Sequence, residues 1–77
     1  MREGCQEVVL DVRGFEPPEP LERALDALAA LEGGQRLRMM IGREPFPLYD
    51  MLHKRGYLHE TISRADGDYE ILVWREA

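Results

Sequence analysis

The chain lacks several features on which many proteins depend. It has one cysteine, Cys5, among 77 residues, which excludes an internal disulfide framework. No apolar run approaches the roughly 18 residues that a membrane-spanning helix needs. The N-terminal residues include no apolar stretch of the kind found in signal peptides. We therefore expect a cytoplasmic protein that does not contact a membrane.

Basic charge is also scarce, because 15 acidic residues outnumber 10 basic ones and the net charge is −5. An acidic surface repels phosphate backbones, so a nucleic-acid partner is not expected. Arg36, Arg38 and Arg43 lie close together in sequence and form either a small basic patch or a solvated strand edge. The length predicts one domain over residues 1–77, in which residues 1–6 are expected to be flexible.

Apolar periodicity predicts six elements in the order β-α-β-α-β-β. They are strands over residues 7–12, 36–41, 57–64 and 69–75, a helix from Pro20 to Gly33-Gly34, and a helix over residues 48–55. A helix joins the first two strands, which should therefore be parallel. The expected fold is an α+β two-layer sandwich, in which both helices cover one face of a four-stranded mixed sheet.

Three segments carry a resemblance to a known family. They are Leu10-Asp11-Val12-Arg13-Gly14-Phe15-Glu16-Pro17-Pro18-Glu19-Pro20, Glu44-Pro45-Phe46-Pro47-Leu48-Tyr49 and Tyr69-Glu70-Ile71-Leu72-Val73-Trp74-Arg75. The first resembles the signature of TusA-like sulfur-carrier proteins. All three together are similar to an uncharacterised bacterial branch of that superfamily, a domain of unknown function. The resemblance covers almost the whole chain and implies the same sandwich fold.

The resemblance also shows what the chain has lost. In the sulfur carriers a cysteine begins a Cys-Pro-x-Pro helix cap, where the helix dipole stabilises its thiolate. Pro17 occupies the position of that cysteine, and Glu16 and Glu19 add negative charge at the same helix end. We therefore expect neither sulfur transfer through this motif nor enzymatic activity, and we expect no cofactor.

Two proline-rich turns form the candidate binding site. Arg13, Gly14, Phe15 and Glu16 follow the first strand, and Glu44 and Phe46 follow the second. The carboxyl ends of parallel strands are where ligands usually bind in open α/β sheets. Arg13 either binds a small anionic ligand, with both phenylalanines as an apolar wall, or forms an ion pair with Asp11, Glu16 or Glu44 while the phenylalanines plug the helix–sheet seam.

Two further interpretations stay open. Cys5 or the histidines His53 and His59 are the candidates for a redox, sulfur or metal role, although no spacing typical of a metal site joins them. Met40, Leu72 and Trp74 are predicted to form an uncovered apolar patch on the sheet face opposite the helices. We therefore expect a protein-interaction or accessory module with an unknown protein partner, or a homodimer.

Overall fold

A computed structural model describes residues 6–75 and contains the six predicted elements. In chain order they are β1 (Glu7–Asp11), α1 (Glu19–Ala29), β2 (Arg36–Ile41), α2 (Phe46–Lys54), β3 (Tyr57–Ser63) and β4 (Tyr69–Arg75). The predicted order and fold class are confirmed. The α2 helix begins two residues before the predicted start, because the Leu48 N–H already donates to the Pro45 carbonyl (3.0 Å).

The four strands form one mixed sheet in the order β1-β2-β4-β3. β1 and β2 are parallel as predicted, whereas β4 is antiparallel to both β2 and β3. The parallel pair therefore lies at one side of the sheet, and its two carboxyl ends meet at the same edge. The outermost strands are β1 and β3.

Both helices pack on one face of the sheet, and the core lies between the two layers. Strand residues alternate between this face and the opposite one, as the buried and half-buried pattern of β2 shows. The most deeply buried side chains come from the two central strands, from both helices and from the residue after β1: Leu37, Met39, Ile71, Val73, Ala24, Leu28, Leu48, Leu52 and Val12. The opposite face of the sheet, which we call the open sheet face, has no helix of the described chain on it.

Gly14 makes the turn that leads from β1 toward α1. Its φ of +93° lies in the left-handed region that glycine adopts readily. The Phe15 N–H closes this turn by donating to the Val12 carbonyl (3.2 Å). None of the helices in residues 6–75 is long and apolar enough to cross a membrane.

Candidate functional site

A cavity of about 660 Å³ lies at the edge where β1 and β2 end, between the loops that lead into α1 and α2. We call it the proline cavity, because five prolines contribute to its lining. The lining residues are Val12, Gly14, Phe15, Pro17, Pro18, Pro20, Leu21, Met39, Ile41, Gly42, Arg43, Glu44, Pro45, Pro47 and Leu48. This is the edge at which the sequence predicts a binding site.

The lining is almost entirely apolar. Val12, Met39, Ile41 and Leu48 are buried core residues that also reach the cavity. Pro17 and Pro18, which are joined by a cis peptide bond, form the exposed rim before α1. The prolines restrict the backbone of both loops, so the walls are rigid before anything binds.

The helix starts beside the cavity have few free backbone donors. At α1, Pro17, Pro18 and Pro20 carry no N–H, and the Glu19 N–H donates to the Glu16 carbonyl (2.9 Å). No side chain caps the start of this helix.

At α2, the Phe46 N–H donates to the Glu44 carbonyl (3.1 Å), and Pro45 and Pro47 have no N–H. An anion site at a helix start needs several N–H groups directed at the ligand. Neither of these two helix starts meets that requirement.

Glu44 is the carboxylate of the lining, and it is fixed by Tyr49. The Tyr49 hydroxyl donates to Glu44 Oε2 (3.1 Å) and lies 2.6 Å from the Thr61 hydroxyl. Burial raises the pKa of Tyr49, so the hydroxyl keeps the proton that it donates to Glu44. Thr61 must then donate to the Tyr49 oxygen. The ring of His59 stacks on Tyr49 at 4.4 Å and supports the same arrangement from β3.

Arg43 is the other charged residue of the lining, and its side chain is exposed. No ion pair joins Arg43 to any other residue between positions 6 and 75. The rim therefore presents one positive and one negative group on neighbouring residues.

Arg13 lies outside the cavity lining, so its position does not support the first of its two candidate roles, the binding of an anion. Its Nε and Nη2 donate to the two carboxylate oxygens of Asp11 (3.0 and 2.9 Å), and its Nη1 donates to Asp68 (3.4 Å). The structure therefore shows the second candidate role of Arg13, an ion pair with Asp11. The Arg13 hydrogen bonds hold the pKa of Asp11 below its usual value.

The two phenylalanines of the predicted site separate. Phe15 lines the cavity at 40% exposure, and the Arg23 guanidinium lies 4.5 Å above its ring. Phe46 is 66% exposed, lies outside the lining and contacts Tyr49 edge-on at 5.9 Å. As the first residue of α2 it faces solvent, so it neither walls the site nor plugs the helix–sheet seam. Glu16 also lies outside the lining.

Residues 9–75 match the model of a family described as an uncharacterized conserved protein, DUF2249. The chain belongs to this family. It is similar to the crystal structure of a SirA-like protein from Desulfitobacterium hafniense, with a TM-score of 0.76 and 26% identity over 88% of this chain and 97% of that one. No curated protein matches the chain. The matches support the resemblance to the sulfur-carrier superfamily.

In this member of the DUF2249 family, the redox and metal candidates do not come together. His53 is exposed on α2, and His59 lies on β3 against Tyr49. Cys5 lies outside the described residues. Within residues 6–75, no three His, Cys, Asp or Glu side chains are grouped so that they could hold a metal ion.

Met40, Leu72 and Trp74 are half-buried and lie on the open sheet face of this family member. Leu72 and Trp74 are neighbours on β4, but the Arg38–Glu70 ion pair separates Met40 from them. Arg38 donates to Glu7 (2.9 and 3.0 Å) and to Glu70, which also pairs with Arg64. This network of charged side chains crosses the open sheet face.

Proposed function

We propose that this chain is a non-catalytic accessory protein of the cytoplasm that binds another protein. In this proposal the partner inserts an apolar side chain into the proline cavity. The observation that carries the proposal is the cavity itself, which is apolar, rigid and located where the sulfur carriers that the sequence resembles place their thiol.

The chemistry of the lining supports binding rather than catalysis. The sequence resemblance aligns Pro17 with the carrier cysteine, and the lining residues include no thiol, hydroxyl or imidazole. A thiolate or a bound anion at this place would need positive charge or N–H donors around it, but Glu16 and Glu19 add negative charge at the start of α1. An apolar group needs none of these, and it gains free energy by leaving water.

The shape of the site supports a protein partner. A small-molecule site usually encloses most of its ligand and orients it with several polar groups. Here the rim is exposed at Phe15, Pro17 and Pro18, so the site is open on one side. A side chain that projects from another protein fits such a cleft, and rigid walls reduce the entropy lost on binding. Arg43 and the fixed Glu44 can then pair with charges that flank the inserted side chain.

The open sheet face supports this role less well than the cavity. Met40, Leu72 and Trp74 offer apolar area, but a partner on that face would have to bury the Arg38–Glu70 ion pair. Burying charges costs free energy that their mutual attraction does not always return. We therefore place the partner-binding surface at the cavity.

A photo-crosslinking experiment in cells tests the proposal. A benzophenone amino acid replaces Phe15 at the cavity rim, and a matched variant carries it at Phe46, which is more exposed but outside the cavity. We expect one protein to be crosslinked from position 15 and not from position 46. The crosslink should map to an apolar side chain of that protein.

The control for this experiment is Leu21→Glu, which places a carboxylate in the apolar lining. It should remove the crosslink from position 15 while the helical and strand content stays intact. Equal crosslinking from positions 15 and 46, or a crosslink that survives Leu21→Glu, would contradict the proposal.

A further inference from the structure

The β3 strand forms a regular edge of the sheet. All seven of its residues pair with β4 in a continuous register from Tyr57–Arg75 to Ser63–Tyr69. It contains no proline, no lysine and no bulge, all of which commonly protect an edge strand from pairing, and Glu60 is its one acidic residue. Among the described residues, no other strand pairs with its outer side.

The hairpin determines which backbone groups of β3 point outward. The Arg64 N–H donates to the Asp68 carbonyl (2.9 Å), which makes these two residues a hydrogen-bonded pair. Hydrogen-bonded pairs recur at every second residue of an antiparallel ladder, so Leu58, Glu60 and Ile62 bond to β4. His59 and Thr61 consequently direct their N–H and C=O groups away from the sheet.

The side chains along this edge have a clear charge pattern. Leu58 (43% exposed) and Ile62 (37% exposed) flank Glu60 on the open sheet face. An antiparallel copy of β3 centred on Glu60 would place two glutamates opposite each other, and like charges in facing positions are destabilising. A strand with a basic residue opposite Glu60 and apolar residues opposite Leu58 and Ile62 would complement all three positions.

We propose that the β3 edge binds an extended segment of a partner protein by strand addition. The segment runs antiparallel to β3 and has the pattern apolar–x–basic–x–apolar. Main-chain hydrogen bonds to His59 and Thr61 supply affinity, and Glu60 selects the basic residue. The β3 edge is separate from the proline cavity. A failure to bind peptide at β3 therefore does not decide whether a partner binds in the cavity, and the reverse also holds.

A synthetic peptide serves as the probe: acetyl-Thr-Ile-Thr-Lys-Thr-Ile-Thr-amide. Trp74, the single tryptophan, lies opposite Leu58 on the neighbouring strand, and its fluorescence reports occupation of the edge. We expect saturable binding of the Lys peptide that is about 5-fold tighter than binding of the same peptide with Glu at its centre. The preference should reverse in the Glu60→Lys variant, because position 60 then carries a positive charge. Glu60 is an exposed side chain, so the substitution leaves the backbone hydrogen bonds between β3 and β4 intact.

Backbone methylation distinguishes strand addition from other modes of binding. In the proposed register the third and fifth peptide residues direct their N–H groups at β3, and the central residue directs its N–H away. N-methylation at positions three and five should abolish binding, whereas N-methylation of the central Lys should leave it nearly unchanged. The proposal is overturned if no peptide binds, if the charge preference fails to reverse in Glu60→Lys, or if both methylated peptides bind alike. A wild-type dimer joined through β3 would also overturn the choice of a foreign partner.

Discussion

Replacing Arg38 by methionine should destabilise the fold, because the mostly buried carboxylate of Glu70 loses one of its two arginine partners. Arg38 donates to Glu7 and to Glu70, and the Glu70 side chain is only 12% exposed. The Glu7 pair is solvent-exposed, and such pairs contribute at most about 1 kcal/mol. In Arg38→Met, Glu70 still has Arg64 as a partner. Removing Arg38 therefore costs less than the roughly 3–5 kcal/mol lost when a fully buried ion pair is broken. For Arg38→Met we expect a loss of about 1–2 kcal/mol in the free energy of unfolding.

The double variant Arg38→Met/Glu70→Leu should recover most of that loss, because it removes the carboxylate together with its partner. We expect it to lie within about 0.5 kcal/mol of the wild type, with a coupling energy of about 1 kcal/mol between the two positions. The double variant should also self-associate, since it joins Val9, Leu72 and Trp74 into one apolar surface across the open sheet face.

Urea unfolding followed by circular dichroism measures the free energies, and light scattering measures the mass of each variant. The reasoning is refuted if Arg38→Met lies within about 0.3 kcal/mol of the wild type, which would place the ion pair among surface pairs without measurable effect. It is also refuted if the double variant loses as much free energy of unfolding as Arg38→Met and Glu70→Leu lose together as single variants.

Three further outcomes follow from the structure. Leu52→Ala, at a fully buried position, should lower the free energy of unfolding by about 2–5 kcal/mol, whereas the exposed Leu58→Ala should cost under about 1 kcal/mol; equal losses in urea titrations would misplace the core. Hydrogen bonds from arginines lower the folded-state pKa values of Glu7 and Asp11. The stability that these two carboxylates contribute is therefore present above their unfolded-state pKa values, near pH 4, and is lost as the pH falls through their folded-state pKa values. A thermal midpoint that rises on acidification from pH 5 to 3 would contradict this. Pro17→Cys should yield a thiol whose pKa is not below the ordinary value of about 8.5, because Glu16 and Glu19 place negative charge at this helix start. Alkylation that proceeds through a thiolate at pH 6 would show otherwise.

The fold was predictable from the sequence because its signals are local. Alternation in β2 and β4, the leucine spacing of α1 and the Asp66-Gly67 turn each depend on a few neighbouring residues. The parallel β1–β2 pair follows from the helix between them. The terminal residues of α2 were less predictable, since proline is compatible with either of the first two helical positions.

A cavity lies at the sheet edge that the sequence indicated, but several side-chain contacts around it could not be predicted. The prolines of the two motifs identify the edge where the cavity lies. For Arg13 the sequence allowed either anion binding or an ion pair with a nearby carboxylate, and it did not indicate the second partner, Asp68, which is 55 positions away. The hydrogen bond between Tyr49 and Thr61 likewise joins α2 to β3, and no local pattern indicates it. Long-range side-chain contacts of this kind depend on the final packing.

The charge network on the open sheet face was missed for the same reason. Alternation correctly placed Met40, Leu72 and Trp74 opposite the helices, but it carries no information on which charged residue lies beside them. Arg38 meets Glu7 and Glu70 only because β2 lies between β1 and β4. Strand order therefore decides whether this face is continuous or divided.

The most direct test of the proline cavity is a titration followed by amide resonances in a ¹⁵N-labelled sample. N-acetyl-phenylalaninamide represents the apolar side chain of a partner, and inorganic phosphate represents an anion. We predict that the amide shifts the resonances of Gly14, Leu21 and Gly42, which line the cavity, and that Leu21→Glu abolishes these shifts. We predict no shift at these residues with phosphate. Saturable phosphate shifts at Gly14 and Gly42, with none from the apolar amide, would contradict the central claim.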